Sequence, residues 1–153
     1  MIEARQINSV SKNNFLSLME SYEINYAQIS KFVCLKNINP SVVGKRFAST
    51  SKVGGKKLLL LVESISNHTV FIKFSYNYFS DGEFISYVDL KIFLDSKQVE
   101  IIHSNEIKRR KLEVTIQKFH TIRLTKWYKN YFLSLWLNNC IENGYSFDMQ
   151  SEV

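Results

Sequence analysis

The sequence predicts an α+β fold, in which a long N-terminal helix and a C-terminal helix accompany an antiparallel meander of four to five strands. Two observations support this prediction. Both ends of the chain carry large apolar residues at helical spacing, whereas the middle alternates apolar and polar residues with the two-residue period of a strand. The alternating segments are joined by only a few residues, and such short connections make neighbouring strands antiparallel. The C-terminal helix is therefore expected to lie on one face of this sheet.

Length and composition fit a single domain. A chain of 153 residues with 45% hydrophobic and 14% aromatic residues can bury a substantial core. We expect residues 1–10 and 148–153 to be flexible. No apolar run reaches the roughly 18 residues that a membrane-spanning helix needs, and the N-terminus lacks the apolar core of a signal peptide. These observations predict a cytoplasmic protein without a membrane partner.

The clearest element is a C-terminal helix at residues 125–144. Thr125 is a suitable N-cap, and Gly144 suits the C′ position that ends many helices. The apolar positions form one continuous stripe, made by Phe132, Leu133, Trp136, Leu137, Cys140 and Ile141. We interpret this stripe as core packing in preference to a ligand cleft or a partner groove.

A long first helix is predicted to start near Ser11 or Asn13 and to reach about Cys34. Its apolar positions recur at steps of three and four, and they are Phe15, Leu18, Met19, Tyr22, Tyr26, Ile29 and Val33. Cys34 and Cys140 both lie on apolar helix faces in this interpretation. We expect them to be buried thiols in preference to disulfide partners or metal ligands.

Four strands are predicted between the helices, at residues 57–65, 69–78, 84–94 and 99–103. The first is apolar on both faces until Glu63, which is typical of a central strand. The second and third alternate, so each offers one face to the core and one to solvent. A weaker alternation at residues 112–118 allows a fifth, edge strand.

Positive charge is concentrated in two segments of the chain. Residues 36–57 contain Pro40 and three glycines, carry a charge of +6, and are predicted to form a long basic loop in which residues 42–43 could form a short element. Residues 108–129 carry +7, so the remainder is acidic although the net charge is +6. If the fold brings the two segments together, their surface would attract phosphate backbones or acidic proteins.

The predicted anion- or partner-binding residues are Lys45, Arg46, Lys108, Arg109, Arg110, Lys111, Arg123, Lys126 and Lys129. Aromatic residues such as Trp127 are interleaved with them, as base stacking on single strands requires, but no known nucleic-acid-binding signature is present. Lys126 and Lys129 lie near the positive end of the predicted helix, which favours an anion there. Nucleic acid, an acidic protein or other anion, and plain solvated loops all remain open.

No motif of catalysis or cofactor binding is evident. The three histidines are 35 and 17 residues apart, which excludes a local metal motif, and neither a phosphate loop nor a nucleophile elbow is present. Glu63 is the most notable carboxylate. It is either an acid/base or ligand-orienting residue or a strand-end residue that reaches solvent. We therefore predict neither a metal ion nor a cofactor, and the sequence does not favour catalytic activity.

Several segments, taken in order, resemble a known family. They are Glu23-x-Asn25-Tyr26, Val62-Glu63-Ser64, Asp95 with Glu100, and N-x-F-L-x-x-W-L-x-x-C-x-x-x-G from Asn130 to Gly144. This ordered set is similar to the YqiB-like family of uncharacterised proteobacterial proteins, over roughly residues 14–147. The chain departs from that family at Ser21-Tyr22, at Lys91 and in the charged segment before the last helix.

The resemblance implies a small cytoplasmic bacterial protein and no particular reaction. Packing alone does not explain four of the shared positions, Glu23, Asn25, Glu63 and Asn130, which are therefore the candidate polar site. We consider first a non-catalytic interaction or regulatory module that binds an acidic protein or nucleic acid through its basic loops. The alternative is a small-molecule binding protein or enzyme, which requires these four side chains to converge on one pocket. A third hypothesis is a homodimer that joins through an exposed apolar sheet face.

Overall fold

The computed structural model of the protein describes residues 18–76, 86–105 and 122–150, with the backbone alone at residues 122–125. In chain order these hold helix α1 (residues 18–29), two 3₁₀ turns (Leu35–Asn37 and Pro40–Val42), strands β1 (Arg46–Thr50), β2 (Lys57–Ser66), β3 (Thr69–Tyr76), β4 (Tyr87–Phe93) and β5 (Gln98–Ser104), and helix α2 (Ile122–Glu142). The predicted α+β class is confirmed.

The five strands form one antiparallel sheet in the order β1-β2-β3-β4-β5, so each strand pairs with its neighbour in the chain. The alternation predicted from the sequence decides which face is covered. In β3, Val70, Ile72 and Phe74 are fully buried, whereas the alternate residues Lys73 and Ser75 are only half-buried. Because side chains alternate along a strand, the buried set faces the helices.

The core is centred on Phe74 in the middle strand of the sheet. Its ring lies 5.9 Å from that of Phe32, 5.2 Å from that of Trp136 and 5.9 Å from that of Phe147, in tilted arrangements that aromatic quadrupoles favour. Leu133 of α2 is also fully buried. The apolar stripe of the last helix is therefore core, as predicted.

The prediction of one long loop at residues 36–57 is wrong, because this segment contains the two 3₁₀ turns and an edge strand. Phe47 of β1 pairs with Leu60 and is 2% exposed. An edge strand has one free side, and polar or charged residues there discourage pairing with another chain. A short strand of this kind therefore carries one large apolar residue among basic and hydroxyl residues, a composition that is also typical of a loop.

The predicted helix boundaries need two corrections. Helix α1 ends at residue 29, so Cys34 lies beyond it and is half-buried, whereas Cys140 is fully buried; neither forms a disulfide. Helix α2 begins at Ile122, so Thr125 lies inside it and is not its N-cap. The capping signal was misleading because threonine is also tolerated in helix interiors. The predicted start near Ser11 or Asn13, residues 1–10 and the strand at 112–118 lie outside the described residues.

The end of α2 follows the sequence prediction. Gly144 has a φ of 76°. Its N–H donates to the Ile141 carbonyl at 3.1 Å, and the Tyr145 N–H donates to the Cys140 carbonyl at 3.3 Å. This pair of bonds is the Schellman motif, which needs a left-handed residue at C′. The chain stays ordered after it, since Met149 is 2% exposed. Met149 therefore packs on the core within the tail that was predicted to be flexible, whereas Asp148 and Gln150 are exposed, and residues 151–153 lie outside the description.

Two β-bulges shape the sheet. Val62 pairs with Ile72 and Ser64 with Phe71, so Glu63 has no partner opposite it in β3. A second irregularity places Ile102 of β5 outside the ladder. A bulge bends the strand and re-aims the extra side chain. The position of Glu63 is therefore set by the sheet and not by simple alternation.

Candidate functional site

The two predicted asparagines meet between the helices. Asn25 of α1 and Asn130 of α2 are both fully buried, and Asn25 Nδ2 donates to the backbone carbonyl of Asn130 at 3.1 Å. The side chain of Asn130 bridges two further groups, because its Nδ2 donates to the Lys126 carbonyl at 2.9 Å and its Oδ1 accepts from the Ile101 N–H at 3.4 Å. Asn130 thereby joins α1, α2 and β5.

The contact with Ile101 has a structural reason. Strand β5 is at the edge of the sheet, and an edge strand carries backbone N–H groups that no neighbouring strand accepts. A buried donor without an acceptor costs about 1–3 kcal/mol. Asn130 supplies the acceptor, so its presence in the last helix is explained by the sheet edge that this helix covers.

The side-chain amide of Asn25 makes only part of the hydrogen bonds that it can form. Its Oδ1 is buried, yet it accepts no hydrogen bond from any described residue. Exchanging the side-chain oxygen and nitrogen of Asn25 would not give the oxygen a partner. The Asn130 carbonyl can only accept a hydrogen bond, so the Asn25 atom that faces it must be the Nδ2 donor. An unpaired buried acceptor is uncommon in folded proteins and calls for a partner.

Asn25 lines a pocket of about 180 Å³ between the two helices. The lining residues are Ser21, Ile24, Asn25, Trp127, Tyr131 and Ser134. The rings of Trp127 and Tyr131 stack in parallel, with an interplanar angle of 4° and centroids 5.7 Å apart. One wall of the pocket is therefore an aromatic pair, and its one fully buried polar side chain is Asn25.

Large apolar side chains surround this pocket at the surface. Ile24 is 54% exposed, Tyr131 is 51% exposed, and Leu135 is 50% exposed. Trp127, Tyr131 and Leu135 are four residues apart, so they form a ridge along α2 on the side away from the core. The sequence prediction missed this surface because it assigned the apolar residues of the helix to a single core stripe, although the four-residue spacing was available as a signal.

The other two polar candidates lie elsewhere. Glu23 is exposed on α1. Glu63 lies beside Asp89 on the sheet face opposite the core, since Asp89 alternates with the fully buried Val88 and Leu90 of β4. The four side chains therefore do not converge on one pocket.

Glu63 has a distinct electrostatic environment. Burial raises the pKa of its carboxyl group, and the Asp89 carboxylate raises it further, whereas the Lys73 ammonium lowers it. Lys73 Nζ lies 3.8 Å from Asp89 Oδ1 and 4.9 Å from the centre of the Tyr87 ring. Asp89 Oδ1 is buried and accepts no hydrogen bond from the described residues. The pKa of Glu63 is therefore raised on a sheet face where a second carboxylate and one lysine are its neighbours.

A second polar contact ties both helices to the edge strand. The Tyr22 hydroxyl donates to Glu100 Oε2 at 3.0 Å, and Lys126 Nζ lies 3.9 Å from the same oxygen. Burial raises the pKa of the Tyr22 phenol well above its usual range, and the neighbouring Glu100 charge adds to this effect. Lys126 therefore has an acidic neighbour within the protein, the Glu100 carboxylate, and an external anion at this position stays a prediction.

Of the predicted basic residues that the structure describes, Lys45 and Arg46 lie apart from Lys126. Lys45 and Arg46 lie at the start of β1, at one edge of the sheet, whereas Lys126 contacts β5 at the opposite edge. Lys129 is half-buried near the start of α2. The run at residues 108–111 and the side chain of Arg123 lie outside the described residues.

Part of the first basic segment has a structural role. Lys52 N–H donates to the Asn143 carbonyl at 2.9 Å, and the Ser51 hydroxyl lies within 3.3 Å of the same oxygen. These donors meet carbonyls that the end of α2 leaves unpaired. The lysine also stands at the negative end of the helix dipole, where a cation is favourable.

The described residues contain no group of three side chains that could hold a metal ion. His68 is exposed in the turn between β2 and β3, and the His103 ring lies 5.5 Å from that of Tyr87 on the outer sheet face. His120 falls outside the described residues. Within the described ranges, no helix is both long enough and apolar enough to cross a membrane.

Comparison with curated proteins and with solved structures gives no significant match. A family model does match, with the description "Protein of unknown function (DUF1249)", over residues 35–146. Glu63 and Asn130 lie inside this span, whereas α1 with Glu23 and Asn25 precedes it. The narrower YqiB-like resemblance stays a prediction. Since the match covers well over half of the 153 residues, the chain belongs to the DUF1249 family.

Proposed function

We propose that the protein is a non-catalytic binding module that recognises a partner protein through the surface shared by α1 and α2. The observation that carries this proposal is the pocket between the helices, with the stacked Trp127 and Tyr131 as its wall and the exposed Ile24 and Leu135 around it. Below, these four side chains are called the helix-pair surface.

The composition of the helix-pair surface is that of an interaction site and differs from that of scattered exposed residues. Single exposed apolar residues are ordinary, but a cluster beside a pocket is characteristic of interaction sites. Tryptophan and tyrosine also contribute most often to the binding energy of interfaces. Covering three side chains that are each about half exposed removes a substantial apolar area from water, and this burial favours association.

The charge-based hypothesis concerns a different surface. The concentration of +6 and +7 in two segments favours an acidic protein or nucleic acid as an additional partner. Among the described residues, exposed Arg46 lies in the edge strand β1 and exposed Lys126 lies beside β5 at the other edge, so one partner that contacts both would have to span the sheet. This second candidate, and the cytoplasmic location expected from the N-terminal sequence, remain predictions.

Capture experiments with matched variants test the proposal. The double variant Tyr131→Ser/Leu135→Ser changes two exposed residues of α2, so the fold should survive. Val53→Ser is the control, since Val53 is 68% exposed in the turn between β1 and β2. We expect proteins captured from a bacterial lysate by the wild type to be retained by the control and lost with the double variant. Retention by the double variant would contradict the proposal.

Two further arms separate the alternatives. Nuclease treatment and an Arg109/Arg110/Lys111→Ala variant report on the charge-based hypothesis, which predicts salt-sensitive binding that this variant loses. Light scattering on the purified wild type reports on self-association. A dimer that becomes a monomer in Tyr131→Ser/Leu135→Ser would identify the partner as a second copy of the chain.

A further inference from the structure

The free side of strand β1 carries backbone groups that point away from the sheet. β1 is an edge strand and pairs only with β2. Two hydrogen bonds just beyond its ends fix the phase of this pairing, since the Val62 N–H donates to the Lys45 carbonyl at 3.2 Å and the Ser51 N–H donates to the Lys56 carbonyl at 2.8 Å. Residues that bond to a neighbouring strand alternate along an antiparallel ladder. The N–H and C=O groups of residues 46, 48 and 50 therefore point away from β2.

This free edge borders a recess of about 170 Å³. The lining residues are Phe47, Ala48, Ser146, Phe147 and Asp148. The segment after α2 forms the floor of the recess, because the Phe147 ring packs 5.9 Å from the Phe74 ring on the core side of the sheet. The backbone of Phe147 bonds to residues 32 and 34 instead of β1. No described strand therefore occupies the position next to β1. A cavity of this size accommodates one side chain.

The charge at this edge favours an acidic occupant. Residues 45–57 contain five basic side chains and no acidic one. Arg46 and Lys57 are exposed at opposite ends of the β1–β2 ladder and form no ion pair with a described residue. Positive charge at an edge discourages pairing with a second copy of the chain, whereas a carboxylate directly opposite Arg46 is a favourable cross-strand neighbour. Because Asp148 lines the recess, acidic side chains of an occupant belong on the outer sheet face.

We propose that an acidic, extended segment of a partner protein adds to the sheet as an antiparallel strand beside β1. Its backbone exchanges hydrogen bonds with Arg46, Ala48 and Thr50. Its acidic side chains lie on the outer face near Arg46 and Lys57, and one side chain of the alternate set enters the recess. In this mode of recognition the backbone supplies affinity and the alternate side chains supply specificity. The site is separate from the helix-pair surface, and it specifies how the first basic segment binds an acidic protein.

The test uses an end-blocked heptapeptide in which glutamate alternates with valine. Its titration into the full chain is followed in ¹H–¹⁵N spectra, where the amide signals of Arg46, Ala48 and Thr50 are expected to shift. Two N-methylated peptides of the same charge separate strand addition from charge attraction. In an antiparallel strand, glutamates on the outer face lie directly opposite these three residues and donate to them. Methylation of the glutamate amides is therefore expected to weaken binding at least roughly tenfold, and methylation of the valine amides by less than about twofold.

Variants of the chain test the backbone and the charge separately. Ala48→Pro removes an N–H that points away from β2, where an edge strand tolerates proline, and is expected to abolish binding of the parent peptide. Arg46→Glu is expected to weaken it about two- to tenfold. The matched reversal Lys97→Glu, in the exposed turn between β4 and β5, is expected to leave it unchanged. Tyr131→Ser/Leu135→Ser is also expected to bind normally, so that failure of either proposal is distinguishable from failure of the other.

Four results would overturn the inference. They are equal affinities of the two methylated peptides, no shift of the three β1 amide signals, tighter binding of a lysine–valine peptide or of a thymidine decanucleotide, and a dimer that Ala48→Pro dissociates. The last would identify a second copy of the chain as the occupant. Stronger loss on methylating the valines would support the site with a parallel strand. If Ala48→Pro fails to fold, the methylated peptides decide, because they are titrated into the wild type.

Discussion

Replacing each of the two buried asparagines with leucine should lower stability at Asn130 but not at Asn25. Both are fully buried, and leucine has the same branched shape with a larger volume, so the packing changes at the two positions are comparable. Asn130→Leu removes the acceptor of the Ile101 N–H and leaves that donor buried without a partner. Asn25→Leu leaves no group unpaired, because the Asn130 carbonyl also belongs to the backbone of α2, and it deletes the unpaired Oδ1.

The expected magnitudes follow from these contacts. A buried unpaired donor costs about 1–3 kcal/mol, and the long 3.4 Å bond to Ile101 puts the cost in the lower half of that range. We therefore expect Asn130→Leu to lower the free energy of unfolding by about 1–2 kcal/mol. Asn25→Leu loses one hydrogen bond worth about 1 kcal/mol and removes a defect of similar size, so it should be neutral or stabilising.

Urea denaturation of both variants and the wild type measures the difference. The midpoint should fall for Asn130→Leu and should stay or rise for Asn25→Leu, with the slope m unchanged in both. Asn138→Leu, at an exposed position of α2, controls for the added apolar group. If Asn25→Leu destabilises the protein as much as Asn130→Leu does, then Asn25 Oδ1 has a partner in the free protein. The reasoning about the pocket would then be refuted.

Three further predictions concern the core, the helix end and the outer sheet face. Phe74→Ala should lower the free energy of unfolding by about 3–5 kcal/mol in urea melts, because a fully buried aromatic leaves a cavity. Gly144→Ala should destabilise more than Gly44→Ala in the same assay. Both have positive φ, but only at Gly144 would the new Cβ meet other atoms, as close as 2.9 Å. Glu63→Gln should raise the Tm at neutral pH and lose this advantage as the solution is acidified. A carboxyl whose folded pKa is raised stabilises the fold at low pH, and that stability is lost as the pH rises through the raised value. An unchanged Tm difference between pH 4 and pH 8 would contradict this assignment.

Local patterns identified the covered sheet face. The alternation around Phe74 and the helical spacing around Leu133 arise within a few neighbouring residues, and burial of the apolar set fixes the orientation of each element. This is why the strands from β2 to β5 and the core stripe of α2 were recognisable. The edge strand β1 lacked such a pattern, since only Phe47 faces the core with high burial.

The candidate site was predictable only in part. Asn25 and Asn130 were selected because packing at helical spacing does not require asparagine, and the structure gives them a common position. Glu63 was selected because packing does not explain a carboxylate that closes an apolar strand, but a bulge and the pairing of β2 with β3 place it beside Asp89 on the other face. The aromatic wall formed by Trp127 and Tyr131 was overlooked because its residues lie next to the core stripe on the same helix.

The sequence by itself determined the fold class, the covered face of the sheet and the glycine that ends the last helix. These depend on side-chain period and on the backbone freedom of single residues, which act over short stretches of chain. Only the tertiary structure decided which polar groups meet. The Asn25–Asn130 bond joins residues 105 positions apart. Its geometry depends on how two helices pack on a sheet edge, which no local pattern encodes. The buried Asn25 oxygen without a hydrogen bond from the described residues is a consequence of that packing.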